Sequence, residues 1–111
     1  MNAAFALLLL AAGLRLDVPY VPQQPNGCGA ATLAMVMQYW GRAADAEQIH
    51  GELYSPKTRG VAASAMERYL RDAGFRTFAF TGEWKDLRHH LAKGRPLILA
   101  LQPARGPDLH Y

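Results

Sequence analysis

The chain has a single cysteine, Cys28, among its 111 residues. One thiol excludes an intramolecular disulfide, a CxxC redox pair and a zinc site made of thiolates alone. Lone cysteines are often small buried hydrophobic residues. The residues around Cys28 therefore decide whether it is inert or reactive, and any chemical partner of its sulfur has to be a side chain other than a thiol.

The chain also has only a small excess of positive over negative charge. Twelve Lys and Arg stand against nine Asp and Glu, a net charge of +3, and the positive residues are scattered from Arg15 to Arg105 without forming a run. The sequence has no Cys/His spacing typical of a zinc finger. We therefore predict no nucleic-acid surface.

The histidines are poorly placed for a metal. His89 and His90 are adjacent on a predicted helix, about 100° apart around its axis, so they cannot both face one ion. For His50, an exposed or hydrogen-bonded histidine is the default interpretation. We predict neither a metal nor a cofactor.

Residues 1–13 form an apolar run that ends in small residues, Ala11 and Gly13 among them. The run is shorter than the roughly 20 residues of a membrane span, so no stable span is predicted. Its small-residue end is typical of a secretory signal peptide, although no basic residue precedes Arg15. An atypical signal, a late start codon and a hydrophobic N-terminal helix are the alternatives. We expect a signal peptide over 1–13 and export to the periplasm or out of the cell.

Residues 14–111 suffice for one domain with a modest core, since half of the chain is hydrophobic. Apolar periodicity predicts helices, and alternating or continuous apolar runs predict strands at 75–80 and 96–102. Helices that precede strands favour an α+β fold over a parallel doubly wound sheet. The helices are expected at 28–40, 45–54, 61–73 and 83–93.

Cys28 begins the first of these helices, after a segment with three prolines, 14–25, and an Asn26-Gly27 turn. Asn26 is expected to cap the helix, because its side-chain oxygen accepts from unpaired first-turn amides. Those amides and the positive end of the helix dipole favour the thiolate, which is the reactive form. Gly29 leaves space for an approaching carbonyl group. This position predicts a nucleophile.

The segment 17–41, with the run QQPNGCG before an apolar helix, resembles the catalytic-cysteine segment of C39 and C39-like peptidases. This papain-like family includes the peptidases that remove double-glycine leaders. The resemblance implies a papain-like fold with an antiparallel sheet, and Cys28 as the nucleophile. It also implies that Gln23 donates to the oxyanion hole, a role that the adjacent Gln24 fits equally well by spacing.

The resemblance extends to the pair His110-Tyr111. The family's histidine follows a helix, a buried strand and a loop, and a tyrosine often comes next, so the likeness implies that His110 is the base. The third catalytic residue, an Asp or Asn, would lie downstream of Tyr111. Asp108 is not expected to replace it, because neighbours on one extended segment rarely point at each other. We therefore expect a C-terminally truncated member with an incomplete sheet.

The predicted function is hydrolysis of peptide bonds by Cys28 and His110, with cleavage after small residues such as Gly-Gly leaders implied by likeness alone. The expected partners are a peptide or protein substrate and, by the same likeness, an ABC transporter. Two alternatives stay open. One is a non-catalytic or inactive papain-like binding module, and the other is a thiol acyltransferase that passes the acyl group to an amine or a thiol.

Overall fold

The computed structural model describes residues 15–102 and 110–111. This part of the chain contains four α-helices, each within two residues of the predicted bounds. They are α1, Cys28–Tyr39; α2, Ala46–Leu53; α3, Ala63–Asp72; and α4, Trp84–Ala92.

Helix α1 is the centre of the fold. Its sequence is apolar nearly all round, so it has to be covered on several sides, and both α2 and α3 pack against it. Leu33, in the middle of α1, is 0% exposed. The residues buried together with it, which we name the core cluster, are Ala30, Leu33, Ala34, Met37, Ile49, Val61, Met66 and Leu70.

Polar side chains fix where the outer helices begin. The Asp45 carboxylate accepts from the backbone N–H groups of Glu47, at 2.9 Å, and Gln48, at 3.4 Å. Asp45 therefore caps α2. At the start of α4, the Asp86 carboxylate accepts from the backbone N–H of Glu83 at 2.8 Å, half of a reciprocal cap that links these two residues.

Three contacts attach the rest of the chain to this helical core. The ring of Phe75 packs against the core cluster, with the Arg42 guanidinium 5.3 Å from its centroid. The Tyr39 hydroxyl donates to the Gly94 carbonyl at 2.8 Å. Ile98 also packs against the core cluster. The segments that follow α3 and α4 are thus attached to the helical core through these few contacts.

The expected α+β fold with an antiparallel sheet is wrong for the residues that the structure describes. They contain no strand, and segments 75–80 and 96–102 form no ladder with each other. The β pairing in the described ranges is limited to two isolated antiparallel bridges, Ser55 with Gly60 and Leu101 with His110. Side-chain alternation predicts an extended backbone, but a strand also needs a partner for its amides, and alternation says nothing about the partner.

No helix in the described ranges is long and apolar enough to cross a membrane. The predicted signal peptide, 1–13, lies outside the described residues, as do Asp108 and the turn before it.

Candidate active site

Cys28 is the first residue of α1 and is half-buried. The residue before it, Gly27, occupies the N-cap position, and the helix start receives no side-chain capping hydrogen bond. The prediction that Asn26 caps this helix is wrong. Asn26 has a φ of +58°, a left-handed conformation that asparagine tolerates and that the tight turn requires. The first-turn amides thus lack a side-chain cap, which leaves them available to an anion beside Cys28.

The turn before Cys28 is tightly packed. The Gly27 amide donates to the Gln24 carbonyl at 2.8 Å. A Cβ atom on Gly27 would lie 2.9 Å from the Gln24 side chain, closer than van der Waals contact allows. Glycine is therefore needed at position 27 so that the proline-rich segment can fold back onto the helix start.

Packing explains why position 29 is a glycine, and the sequence alone did not show this. It is buried, and a Cβ atom built on it would lie 2.9 Å from the Cβ of Val61 and 3.6 Å from the sulfur of Met66. The missing side chain makes room for the segment that leads into α3. The predicted role, space for a substrate carbonyl, is not what the contacts of this glycine indicate.

A cavity of about 350 Å³ opens beside the start of α1. Its size is at the lower end of the range for ligand pockets. The proline-rich segment and Gly27 form one part of its lining, and the first turn of α2 forms the other. Both candidate oxyanion donors, Gln23 and Gln24, line this cavity, so both stay candidates. The full lining is Pro22, Gln23, Gln24, Gly27, Ala46 and Glu47.

His110 and Tyr111 are attached to the fold by a backbone bridge and by side-chain packing. His110 exchanges two backbone hydrogen bonds with Leu101, at 2.7 and 2.9 Å. Tyr111 packs against the core cluster. Burial raises the pKa of the Tyr111 phenol, and the negative charge of Cys28 raises it further. The Tyr111 side chain therefore lies within electrostatic range of the Cys28 sulfur, while the His110 side chain is exposed.

The remaining histidines form no second site. Nδ1 of His50 is buried without a hydrogen-bond partner, and its ring stacks on Tyr54 with centroids 4.9 Å apart. His89 and His90 are near neighbours in edge-to-face contact. Among the described residues, no group of three His, Cys, Asp or Glu side chains is arranged to hold a metal ion.

The family model for the Peptidase C39 like family matches residues 15–111. The chain belongs to this family. No curated protein and no solved structure matches it. The match covers both the Cys28 segment and the His110-Tyr111 pair, and it supports a peptidase-type function for this C39-like chain.

Sequence reasoning located Cys28 at a helix start and the glutamines beside it, and it missed two features of this C39-like site. One is the contribution of α2, through Ala46 and Glu47, to the cavity. Only the packing of α2 against α1 shows this. The other is Tyr111, for which the signal was present, since a large aromatic residue directly follows the predicted base.

Proposed function

We propose that the protein is a cysteine peptidase that hydrolyses peptide bonds through an acyl-enzyme on Cys28. The observation that carries this proposal is the position of Cys28 at an uncapped helix start, directly after Gly27, which lines a cavity together with Gln23 and Gln24. Unpaired amides and the helix dipole stabilise negative charge there, both on the thiolate and on a developing oxyanion.

In the proposed reaction, the Cys28 sulfur attacks the carbonyl carbon of the substrate, and the carbonyl oxygen becomes an oxyanion. The side-chain amide of Gln23, or of Gln24, and a first-turn backbone N–H donate to that oxygen. The C–N bond then breaks as imidazolium His110 protonates the leaving amine, which leaves a thioester on Cys28. His110 next takes a proton from water, whose oxygen attacks the thioester and releases the acid and the thiolate.

His110 is proposed as the base on two grounds. It is the histidine at the position that the family resemblance implies, and its backbone is paired with Leu101. Its neighbour Tyr111 packs against the core cluster, which includes residues of α1.

The substrate we propose is a peptide or protein cleaved after small residues such as a Gly-Gly leader. An ABC transporter as partner, and export directed by residues 1–13, complete the proposal. These parts are supported by the family resemblance and by the apolar run of 1–13.

The test is hydrolysis of a peptide that carries an internal Gly-Gly between a fluorophore and a quencher. We expect turnover by the wild-type chain, none by Cys28→Ala, and a loss of roughly 10²–10³-fold for whichever of Gln23→Ala and Gln24→Ala removes the oxyanion donor. The other glutamine variant serves as the matched control. Equal turnover by wild type and Cys28→Ala would refute the proposal.

A second candidate function is peptide binding without catalysis. The exposed side chain of His110 favours it, because a base turned to solvent does not activate a thiol. In that case the same peptide binds with equal affinity to wild type and Cys28→Ala, as measured by fluorescence anisotropy, and is recovered intact from both.

A further inference from the structure

We infer that Tyr111 is a positioning residue for His110, the proposed base, because Tyr111 packs against the core cluster and so holds the backbone of the residue before it. This inference deepens the proposed function and rests on it. It assigns to the tyrosine a role separate from that of the histidine before it.

The first argument is that backbone pairing alone holds His110 weakly. Among the described residues, the Leu101–His110 pair is an isolated bridge, and Leu101 is 56% exposed. Exposed backbone hydrogen bonds compete with water and contribute little to net stability. An additional contact is needed to keep the His110 segment in one place.

Tyr111 provides that contact. His110 is exposed, whereas Tyr111 is half-buried and packs against the core cluster. Successive side chains on an extended backbone point to opposite faces. The inward position of Tyr111 therefore fixes the backbone of the preceding residue and leaves the imidazole on the outer side, free to turn.

The electrostatics of the phenol are consistent with this role. Burial raises the pKa of the Tyr111 phenol, and the negative charge of Cys28 raises it further, so the phenol is neutral near pH 7. A neutral phenol places no negative charge beside the sulfur, so it does not oppose formation of the thiolate.

The test measures the rate of Cys28 alkylation by iodoacetamide as a function of pH, from about pH 5 to about pH 9. Three variants are compared with wild type: Tyr111→Phe, Tyr111→Ala and His110→Ala. Tyr20→Ala is the control for loss of a tyrosine elsewhere, because Tyr20 is 84% exposed. Since the ring provides the contact, we expect Tyr111→Phe and Tyr20→Ala to keep the wild-type profile. Tyr111→Ala should lose about tenfold in rate near neutral pH and match the profile of His110→Ala.

A second readout does not depend on the histidine or on catalysis. With carbon-13 in the tyrosine rings, the Tyr111 resonance should follow ionisation of the thiol in wild type and should stop doing so in Cys28→Ala. If Tyr111→Ala does not fold, this titration in wild type and Cys28→Ala still tests the inference. A wild-type alkylation profile in folded Tyr111→Ala, or a Tyr111 resonance indifferent to Cys28, would overturn the inference. Failure of peptide hydrolysis alone would instead count against the proposed function.

Discussion

The two halves of the described chain satisfy their backbones in different ways. In residues 28–72, three helices make their hydrogen bonds locally and bury their apolar sides against one another. In residues 75–102, α4 contributes no buried residue, and within the described ranges the extended segments on either side of it have no β pairing other than the Leu101–His110 bridge. The large apolar side chains exposed in this second half are Phe78, Phe80, Trp84, Leu99 and Leu101.

This difference shows which half supports the site. Cys28 lies in the half that is packed on several sides, so its position depends on α1, α2 and α3. His110 is attached through Leu101, which belongs to the loosely packed half, and through the neighbouring Tyr111. The nucleophile is thus held by a core, while in the described part of the chain the proposed base is attached through an isolated bridge and the neighbouring aromatic ring.

The largest expected effect on folding is in the packed half. Leu33→Ala removes a side chain that is 0% exposed at the centre of α1, and the cavity it leaves should lower the free energy of unfolding by about 2–5 kcal/mol. Urea denaturation followed by circular dichroism measures this. Leu99→Ala is the matched control, since Leu99 is 45% exposed. Equal losses in the two variants would show that both halves are packed alike.

Gly29→Ala should have the next largest effect. The new methyl group would lie 2.9 Å from the Cβ of Val61, so α1 and the segment before α3 have to move apart, at a cost of about 1–3 kcal/mol. Gly51→Ala is the control, because Gly51 lies in α2 with open space at its Cβ position. That change should stabilise the chain by about 0.5–1 kcal/mol. Effects of the same sign in thermal melts would contradict the close approach at Gly29.

Asp45→Ala tests a local feature of the packed half. It removes the oxygen that accepts from Glu47 and Gln48, and we expect a loss of about 1 kcal/mol in the free energy of unfolding. Asp45→Asn keeps an acceptor and should lose less. If both variants denature at the wild-type urea concentration, the cap contributes nothing measurable.

The smallest expected effect is in the loosely packed half. Phe78 is 82% exposed, so Phe78→Ala should change the free energy of unfolding by less than about 0.5 kcal/mol. A loss of about 3 kcal/mol, typical of a buried phenylalanine, would mean that segment 75–80 is covered in solution. That result would remove the difference between the two halves.

The helices were predictable because their signals are local. An apolar helix face and the Asp45 cap both act within a few residues of the helix they define. The sheet was not predictable in the same way, since segments 75–80 and 96–102 have strand-like sequences whose pairing depends on distant residues. Asn26 shows a competition between two local roles, and the turn prevailed over the cap.

The site was predicted in part for the same reason. The location of Cys28 at a helix start follows from neighbouring residues. The contribution of Glu47 to the cavity, and the approach of Tyr111 to the sulfur, follow from packing between residues far apart in sequence. Pattern and spacing do not contain that information.

The central claim is that the fold makes Cys28 more reactive than the same thiol in an unfolded chain. The direct measurement is the rate of its alkylation by iodoacetamide near neutral pH, in the native protein and in the same protein unfolded in urea, with labelling quantified by mass spectrometry. The account predicts labelling of one cysteine per chain and a faster rate in the folded state, by about tenfold or more. A folded-state rate equal to or below the unfolded-state rate would contradict it.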